Sequence, residues 1–175
     1  MQVDISELRR EVGARKAFSF CGPLEDGFPA GISLAGPVEV EGTVLNTGPA
    51  YLVEGSIRAQ VEAVCSRCLT PFRQVVEAPL REEFREGSPP PPGQDEVSED
   101  SGVEVWFFQG DVMDLSEAVR QNLILALPTQ PLCRPDCPGL CPVCGRRLDE
   151  GACDCRVEDV DPRLEGLRRF LNPKE

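Results

Sequence analysis

Cysteine is the residue that most constrains how this 175-residue chain can fold. Nine cysteines occur, and histidine is absent. Six of the nine lie within 23 residues near the C-terminus, and two more form an isolated pair, Cys65 and Cys68, in a region with a strand pattern. Closely spaced thiols without another soft ligand indicate metal binding through sulfur or thiol redox chemistry. The absence of histidine also removes the commonest general base, so the sequence predicts no enzyme.

The clearest metal motif is Cys141-Pro-Val-Cys144-Gly145, a zinc-knuckle sequence. Two cysteines separated by two residues can face one ion, and the glycine after them permits a tight turn whose backbone amides approach the thiolates. Cys153 and Cys155 follow after eight intervening residues and complete a four-cysteine set, although Cys-x-Cys is tighter than the usual knuckle spacing. Four thiolates favour Zn2+, a tetrahedral and redox-silent ion, over an iron–sulfur cluster.

The other paired cysteines form two half-sites, Cys65 with Cys68 and Cys133 with Cys137. Together they make a second four-cysteine centre, which would staple the tail to the body across about 65 residues of chain. Two alternatives stay open: reduced thiols without a ligand, and a thioredoxin-like Cys-x-x-Cys motif, which normally begins a helix in a βαβ unit. The sequence therefore predicts one or two Zn2+ ions. Cys21 has no neighbouring cysteine and is assigned to the core or to a loop.

Period-two alternation predicts strands at residues 15–20, 38–45 and 51–64, and again after the Cys65–Cys68 pair. A Gly/Pro-rich loop is predicted at residues 21–23 and a turn at residues 46–49. The apolar residues before the cysteine pair that share one face are Tyr51, Val53, Ile57, Ala59, Val61 and Ala63; those after it are Phe72, Val76, Ala78, Leu80 and Phe84. Together these two strands predict a long antiparallel hairpin with the cysteine pair at its tip.

Capping patterns predict the helices. Asp4, followed by Glu7 three residues later, predicts a short helix near the N-terminus. Residues 111–127 have the clearest helical spacing in the chain, with Asp114 and Glu117 as the N-terminal capping pair. A proline at the end of this segment stops the helix.

The rest of the chain completes the predicted architecture. Residues 86–102 contain four consecutive prolines among acidic residues and predict a disordered acidic loop. Residues 103–108 predict a returning strand, and residues 161–171 a short helix whose apolar stripe packs on the body or binds a partner. The predicted fold class is α+β: an antiparallel β-sheet body with a packed helix (residues 1–132), then a C-terminal cysteine-rich zinc-knuckle subdomain (residues 133–175).

The net charge of −12 is unevenly distributed. Residues 1–132 carry 21 acidic and 10 basic side chains, whereas residues 133–175 carry 9 and 8. Nucleic-acid binding derives most of its affinity from Lys and Arg at phosphates, so we expect the body to attract a basic protein instead. The charged N-terminal segment lacks the apolar region of a secretory signal, and no stretch reaches the roughly 18 apolar residues of a membrane helix. We expect a cytoplasmic location, where thiols stay reduced, and no membrane partner.

Four segments occur in a characteristic order: CSRCLTPF at residues 65–72, NLILALP at 122–128, CPGLCPVCGRRL at 137–148 and DPRL at 161–164. This series resembles the bacterial YceD family, over most of the chain from about residue 38 onward. That family is named for accumulation of the large-subunit (23S) ribosomal RNA, and its genes commonly lie beside one for a small, basic large-subunit ribosomal protein. The resemblance implies a role in large-subunit biogenesis without an established enzymatic activity. Because family members differ in how many cysteines they retain, it also implies an architectural role for the thiolates.

Three function classes follow from these observations. In the first, the acidic surface holds a basic large-subunit ribosomal protein or a pre-ribosomal particle, and rRNA is contacted indirectly. In the second, the protein binds rRNA directly through tail arginines, which are Arg146, Arg147, Arg156, Arg168 and Arg169. In the third, Cys65 or Cys68 performs thiol redox chemistry. The salt dependence of RNA binding separates the first two classes, and alkylation of the two thiols tests the third.

Overall fold

The computed structural model describes residues 1–24, 27–89, 105–151 and 153–155. Within these ranges the strands are β1 (Gln2–Asp4), β2 (Arg15–Gly22), β3 (Ile32–Asn46), β4 (Tyr51–Val64), β5 (Pro71–Glu86), β6 (Val105–Phe108) and β7 (Val112–Asp114). The helix α1 covers Ser116–Ala126, and a single 3₁₀ turn covers Leu8–Arg10. Within the same ranges no helix is long and apolar enough to cross a membrane.

Strands β2 to β6 form one five-stranded sheet in chain order, and β1 and β7 form a separate antiparallel pair. Neighbours from β2 to β5 are antiparallel, whereas β6 runs parallel to β5. The expectation of an antiparallel sheet is therefore wrong at this edge, and the sheet is mixed. A parallel return needs a connection of roughly a dozen residues or more. The 18 residues between Glu86 and Val105 are long enough for it.

The long antiparallel hairpin is confirmed, and its first strand has the predicted bounds. β4 and β5 pair from Tyr51 opposite Phe84 to Val64 opposite Pro71. Alternate residues of both strands are buried on one face, because successive side chains of a strand point to opposite faces. The turn between the two strands carries the isolated cysteine pair at the end of the sheet.

Part of the inner face of the sheet is covered by α1, which packs mainly on β5 and also on β4. The same core also includes Val3, Leu8 and Met113. The carboxylate of Glu82, only 5% exposed, lies beneath the helix. It accepts hydrogen bonds from the indole Nε1 of Trp106 at 3.0 Å and from the side-chain amide of Asn122. These bonds join β5, β6 and α1, and they satisfy a buried group that would cost about 1–3 kcal/mol if it were left unpaired.

The outer face of the sheet is exposed, and most of its charges are paired. Ion pairs on β4 and β5 are Arg58–Glu77 at 3.5 Å, Arg73–Glu62 at 3.0 Å, Arg81–Glu54 at 3.6 Å and Arg85–Glu83 at 2.7 Å. Glu39 and Glu41 on β3 are also exposed, and neither forms an ion pair with any other residue that the structure describes. The excess negative charge of this face therefore lies on β3.

Two helix predictions are wrong in part. In place of a helix after Asp4, residues 2–4 form β1 and only a three-residue 3₁₀ turn follows. The main helix begins at Ser116, not at residue 111, because residues 112–114 pair with β1. Asp114 still serves the start of the helix, since its carboxylate accepts a hydrogen bond from the N–H of Ser116 at 2.9 Å.

Other boundaries also differ from prediction. Cys21 and Gly22 belong to β2 and not to a loop, and β3 begins at Ile32 instead of residue 38. Of the predicted acidic loop, Glu86 ends β5, and residues 90–102 lie outside the described residues, as do residues 103–104 of the returning strand and the predicted helix at 161–171. The division into residues 1–132 and 133–175 stays a prediction.

Candidate metal centres

The eight cysteines predicted as ligands lie in two groups of four. Tetrad 1 contains Cys65, Cys68, Cys133 and Cys137, and tetrad 2 contains Cys141, Cys144, Cys153 and Cys155. Within each tetrad the four Sγ atoms lie within 4.8 Å of one another. Cys21 is exposed on β2 and belongs to neither group. Each tetrad could therefore hold a metal ion.

Tetrad 1 joins the tip of the hairpin to the segment after α1. Cys65 and Cys68 occupy the turn between β4 and β5, and Cys133 and Cys137 follow the helix. All of these except Cys133 are buried. Two apolar side chains, Phe72 and Leu132, pack against the buried members. Cys65, Cys68 and Cys137 thus form a small core of their own, apart from the main core.

The sulfur separations fit a single tetrahedral ion. The Sγ of Cys65 lies 3.8 Å from that of Cys137, and the Sγ of Cys68 lies 3.7 Å from that of Cys133. Zn–S bonds of about 2.3 Å place the sulfurs of a regular tetrahedron about 3.8 Å apart. A disulfide would need about 2.05 Å. An iron–sulfur cluster needs wider spacing, since several iron and sulfide atoms must fit between the thiolates.

The same backbone turn presents the first two ligands of both tetrads. In tetrad 1, the N–H of Leu69 donates to the carbonyl of Cys65 at 2.9 Å, and the N–H of Cys65 donates to the carbonyl of Thr70 at 3.0 Å. In tetrad 2, the N–H of Gly145 donates to the carbonyl of Cys141 at 2.9 Å, and the N–H of Cys141 donates to the carbonyl of Arg146 at 2.8 Å. The two turns are therefore equivalent, position for position.

The residue after the second cysteine is left-handed in both turns, with φ of 57° at Leu69 and 70° at Gly145. Glycine adopts this conformation without steric cost, whereas another residue loses about 1–2 kcal/mol. The glycine of the predicted knuckle thus has the role expected from the sequence. Leucine in tetrad 1 occupies the same strained position, and 63% of it is exposed.

Backbone amides make the first thiol of each turn more acidic. The N–H of Cys68 is the main cause that lowers the pKa of Cys65 to about 6. In the same way, the N–H of Cys144 lowers the pKa of Cys141 to about 6. A second amide, that of Val143, lies 3.4 Å from the Sγ of Cys141. Both turns therefore favour a thiolate, the form that binds metal.

Three other thiols of the tetrads resist ionisation. Desolvation raises the pKa of Cys133 to about 12 and also raises that of Cys137. Hydrogen bonding with Cys144 raises the pKa of Cys155 to about 12. Four sulfurs this close cannot all carry negative charge unless a cation compensates them. The donor chemistry of both tetrads thus fits a soft divalent ion.

Two side chains near tetrad 1 were not singled out by the sequence. The hydroxyl of Thr70 lowers the pKa of Cys68, and the Nη1 of Arg67 donates to the carbonyl of Cys137 at 3.0 Å. The position of Thr70 just after the cysteine pair is a signal that could have identified it. Arg67 is 70 positions from its partner, and a single sequence carries no signal for such a contact.

The arginines proposed for RNA binding differ in their surroundings. Arg147 forms ion pairs with Asp149 at 2.7 Å and Glu150 at 3.3 Å. Arg146 is exposed and has no ion pair within the part of the chain that the structure describes. The other three, Arg156, Arg168 and Arg169, lie outside the described residues.

Similarity to known proteins extends over both tetrads. The family model described as "Large ribosomal RNA subunit accumulation protein YceD" matches residues 53–171. An uncharacterized protein of Mycobacterium tuberculosis is 33% identical over 179 residues, which cover 99% of this chain and 83% of the relative. The "Large ribosomal RNA subunit accumulation protein YCED homolog 1, chloroplastic" of Arabidopsis thaliana is 26% identical over 163 residues, which cover 79% of this chain and 51% of that protein. No solved structure matches the chain.

Proposed function

The chain belongs to the YceD family, and we propose that it is a non-enzymatic factor of large-subunit biogenesis that supports accumulation of 23S rRNA. In this proposal it acts in the cytoplasm, where it holds a basic large-subunit ribosomal protein or an assembly intermediate. Bound Zn2+ ions keep the cysteine-rich tail on the body. The family match, which spans both tetrads, is the observation that carries the proposal.

Zinc is the ion that we assign to both tetrads. Each offers four thiolates and no other ligand, a closed set that suits a structural ion. The separations of 3.7 and 3.8 Å in tetrad 1 support one ion at the centre of its four sulfurs. Elemental analysis of the full-length protein, purified without added metal, should give two zinc atoms per chain, one for each tetrad. Iron with sulfide, or no metal, would contradict the assignment.

Two carboxylates on the outer face of the sheet are available to a basic partner. Glu39 and Glu41 are exposed on β3, whereas the exposed carboxylates of β4 and of the outer row of β5 are paired with arginines. Beside Glu41, the small side chains of Ser19 and Ser56 line a shallow depression in which a lysine or arginine side chain can lie. Unpaired negative charge also steers a basic protein toward the surface at low salt.

Removal of these charges tests the proposed partner surface. The double variant Glu39→Gln/Glu41→Gln should bind a purified small, basic large-subunit ribosomal protein roughly tenfold more weakly at low salt. The control Glu54→Gln/Glu77→Gln removes the same charge from ion-paired positions, so its affinity should fall less than about threefold. Equal losses in the two variants would contradict the assigned surface.

Direct binding of rRNA is the second candidate function. The exposure of Arg146, which lacks an ion pair among the described residues, favours it. The charge of Arg147, by contrast, is offset by two carboxylates. A large-subunit rRNA fragment that binds with a steep salt dependence, while the basic protein does not bind, would establish this candidate. Arg146→Gln should then reduce the salt slope by about one.

Thiol redox chemistry is the third candidate, and the lowered pKa of Cys65 favours it. The burial of Cys65, which keeps other molecules from its thiol, argues against this candidate. Cys65 is fully buried, and strands flank its turn where a redox motif would begin a helix. Rapid alkylation of Cys65 or Cys68 in the zinc-loaded protein would support redox chemistry, and protection of both thiols would exclude it.

A further inference from the structure

Gly139 lies at the contact between the two tetrads. In the sequence it lies between Cys137 of tetrad 1 and Cys141 of tetrad 2, and in the structure it is buried and has a φ of +79°. A Cβ at this position would lie 3.1 Å from the carbonyl oxygen of Arg67, which belongs to the turn of tetrad 1. The carbonyl of Gly139 accepts a hydrogen bond from the N–H of Leu148 at 3.0 Å. One residue therefore contacts the structures that carry both tetrads.

A small hairpin extends from Gly139 to Leu148 and carries the turn of tetrad 2 at its tip. Leu140 and Arg147 form an antiparallel bridge within it. An isolated two-stranded hairpin is at best marginally stable in water, and this one is short. An ion in tetrad 2 would fix the tip of the hairpin and, through the Leu148 bond, the position of Gly139.

Tetrad 1 is connected to the same segment from the other side. The Arg67 guanidinium donates to the carbonyl of Cys137 at 3.0 Å. The turn that carries Cys65 and Cys68 is thus hydrogen-bonded to the residue that presents a third ligand. Gly139 packs against the Arg67 backbone two residues further on. When Gly139 packs correctly against Arg67, Cys137 is therefore also held close to the turn that carries Cys65 and Cys68.

We infer that Gly139 is a positioning residue that couples the two tetrads, so that a metal ion in either tetrad raises the affinity of the other. The inference rests on the metal binding proposed above. When tetrad 2 holds an ion, the segment 139–148 is already ordered, and tetrad 1 does not bear the entropic cost of ordering it. Thermodynamic linkage requires the same factor in both directions.

Zinc affinities of the full-length protein and of two single-centre variants test the coupling, with a chromophoric chelator as competitor. Cys144→Ser leaves tetrad 1 complete, and Cys68→Ser leaves tetrad 2 complete. We expect the overall constant for binding two ions to the unaltered protein to exceed the product of the single-centre constants by about tenfold or more. Equality of the two quantities would overturn the inference.

Gly139→Ala should reduce the coupling factor toward one, although all eight ligands remain. Gly110→Ala is the matched control. Its φ of +80° is nearly that of Gly139, but nothing lies within 4 Å of an added Cβ, and it lies between β6 and β7. Both substitutions strain the backbone, but only the Cβ added in Gly139→Ala crowds the carbonyl oxygen of Arg67. Coupling that persists in Gly139→Ala, or that is lost equally in both variants, would overturn the inference.

Two precautions keep the outcome clear. Cys153→Ser removes a different ligand of tetrad 2 and must give the same factor as Cys144→Ser, which excludes an effect of misfolding at one position. A protein that binds no zinc at all would refute the proposed metal binding. Two ions that bind independently would refute only the coupling.

Discussion

Tetrad 1 and tetrad 2 begin with the same turn but serve different parts of the molecule. Tetrad 1 takes its remaining ligands from a segment that starts 65 positions after Cys68, whereas tetrad 2 finds all four within residues 141–155. Three cysteines are buried in tetrad 1, and only Cys141 in tetrad 2. One local motif can therefore crosslink distant segments or close a local loop, depending on where its other half lies.

Chain entropy gives this difference a magnitude. Closing a loop costs about (3/2)RT ln n, so longer loops gain more from a crosslink. The connecting segment spans 65 positions between Cys68 and Cys133, and nine between Cys144 and Cys153. The ratio of these two lengths makes the loop-closure free energy about 1.7 kcal/mol larger for tetrad 1, so a crosslink there stabilises the folded protein by that much more. Tetrad 1 should consequently matter more for the stability of the whole protein.

The largest expected effect is that of Cys65→Ser, which removes a buried ligand of the long crosslink. It should lower the free energy of unfolding by about 3–5 kcal/mol in the zinc-loaded, reduced protein. Cys144→Ser should cost about 1.7 kcal/mol less, because it opens only the short loop. Guanidinium unfolding of both variants measures the difference. Equal losses would remove the distinction between the tetrads.

Release of metal to a chelator should occur in a fixed order. Tetrad 2 is the more exposed, so a chelator should remove its ion roughly tenfold faster than that of tetrad 1. Alkylation during chelation, followed by peptide mass analysis, should label Cys144 and Cys153 before Cys65 and Cys68. Simultaneous labelling of all four would contradict the order.

Gly145→Ala should weaken zinc binding at tetrad 2 by about 1 kcal/mol, or roughly fivefold, because alanine at a φ of 70° strains the turn. Nothing lies within 4 Å of an added Cβ, so strain is the only cause. Gly145→Asn is the control, since asparagine tolerates the left-handed conformation better. Chelator competition measures both affinities. An equal loss with alanine and asparagine would argue against strain.

The smallest expected effect is an increase in stability. Leu69→Gly should stabilise the zinc-loaded protein by up to about 1 kcal/mol, because it removes the strain of a leucine at a φ of 57°. Little burial is lost, since the leucine is 63% exposed. Leu69→Ala keeps the strain and should give no gain. Thermal unfolding of the two variants distinguishes these outcomes, and a loss with glycine would show that the leucine packs productively.

Patterns that lie close together in sequence predicted the structure best. The alternation of residues 51–64 located β4 at both ends, and the spacing of Cys141 and Cys144 indicated the turn that Gly145 completes. Features that depend on distant pairing were missed. β7 has three residues and exists because it pairs with β1. This pairing also moves the start of α1 to Ser116, which a helical pattern alone does not indicate.

The direction of β6 and the packing around Gly139 illustrate the same limit. Nothing in the four residues Val105–Phe108 specifies whether they run parallel or antiparallel to β5. The glycine in Cys137-Pro-Gly-Leu-Cys141 permits a turn, but its contact with Arg67 joins positions far apart in the chain. The sequence contains few cysteine pairs, so the two groups of four could be predicted by elimination. The contact between Gly139 and Arg67, which links the two groups, could not be predicted.

Protein synthesis makes the two tetrads differ in time as well as in space. Cys68 is made 65 residues before Cys133, which corresponds to roughly 3–13 s at translation rates of about 5–20 residues per second. Through that interval the hairpin of a nascent chain carries two unsatisfied thiols, open to oxidants and to competing metals. The ligands of tetrad 2 are all made within about 3 s at the slowest of these rates. Tetrad 1 gains its last ligand at Cys137, before the first ligand of tetrad 2 is made at Cys141. Tetrad 1 therefore waits longest for its ligands yet can be filled first, and Cys155 of tetrad 2 is the last ligand of either centre to be made.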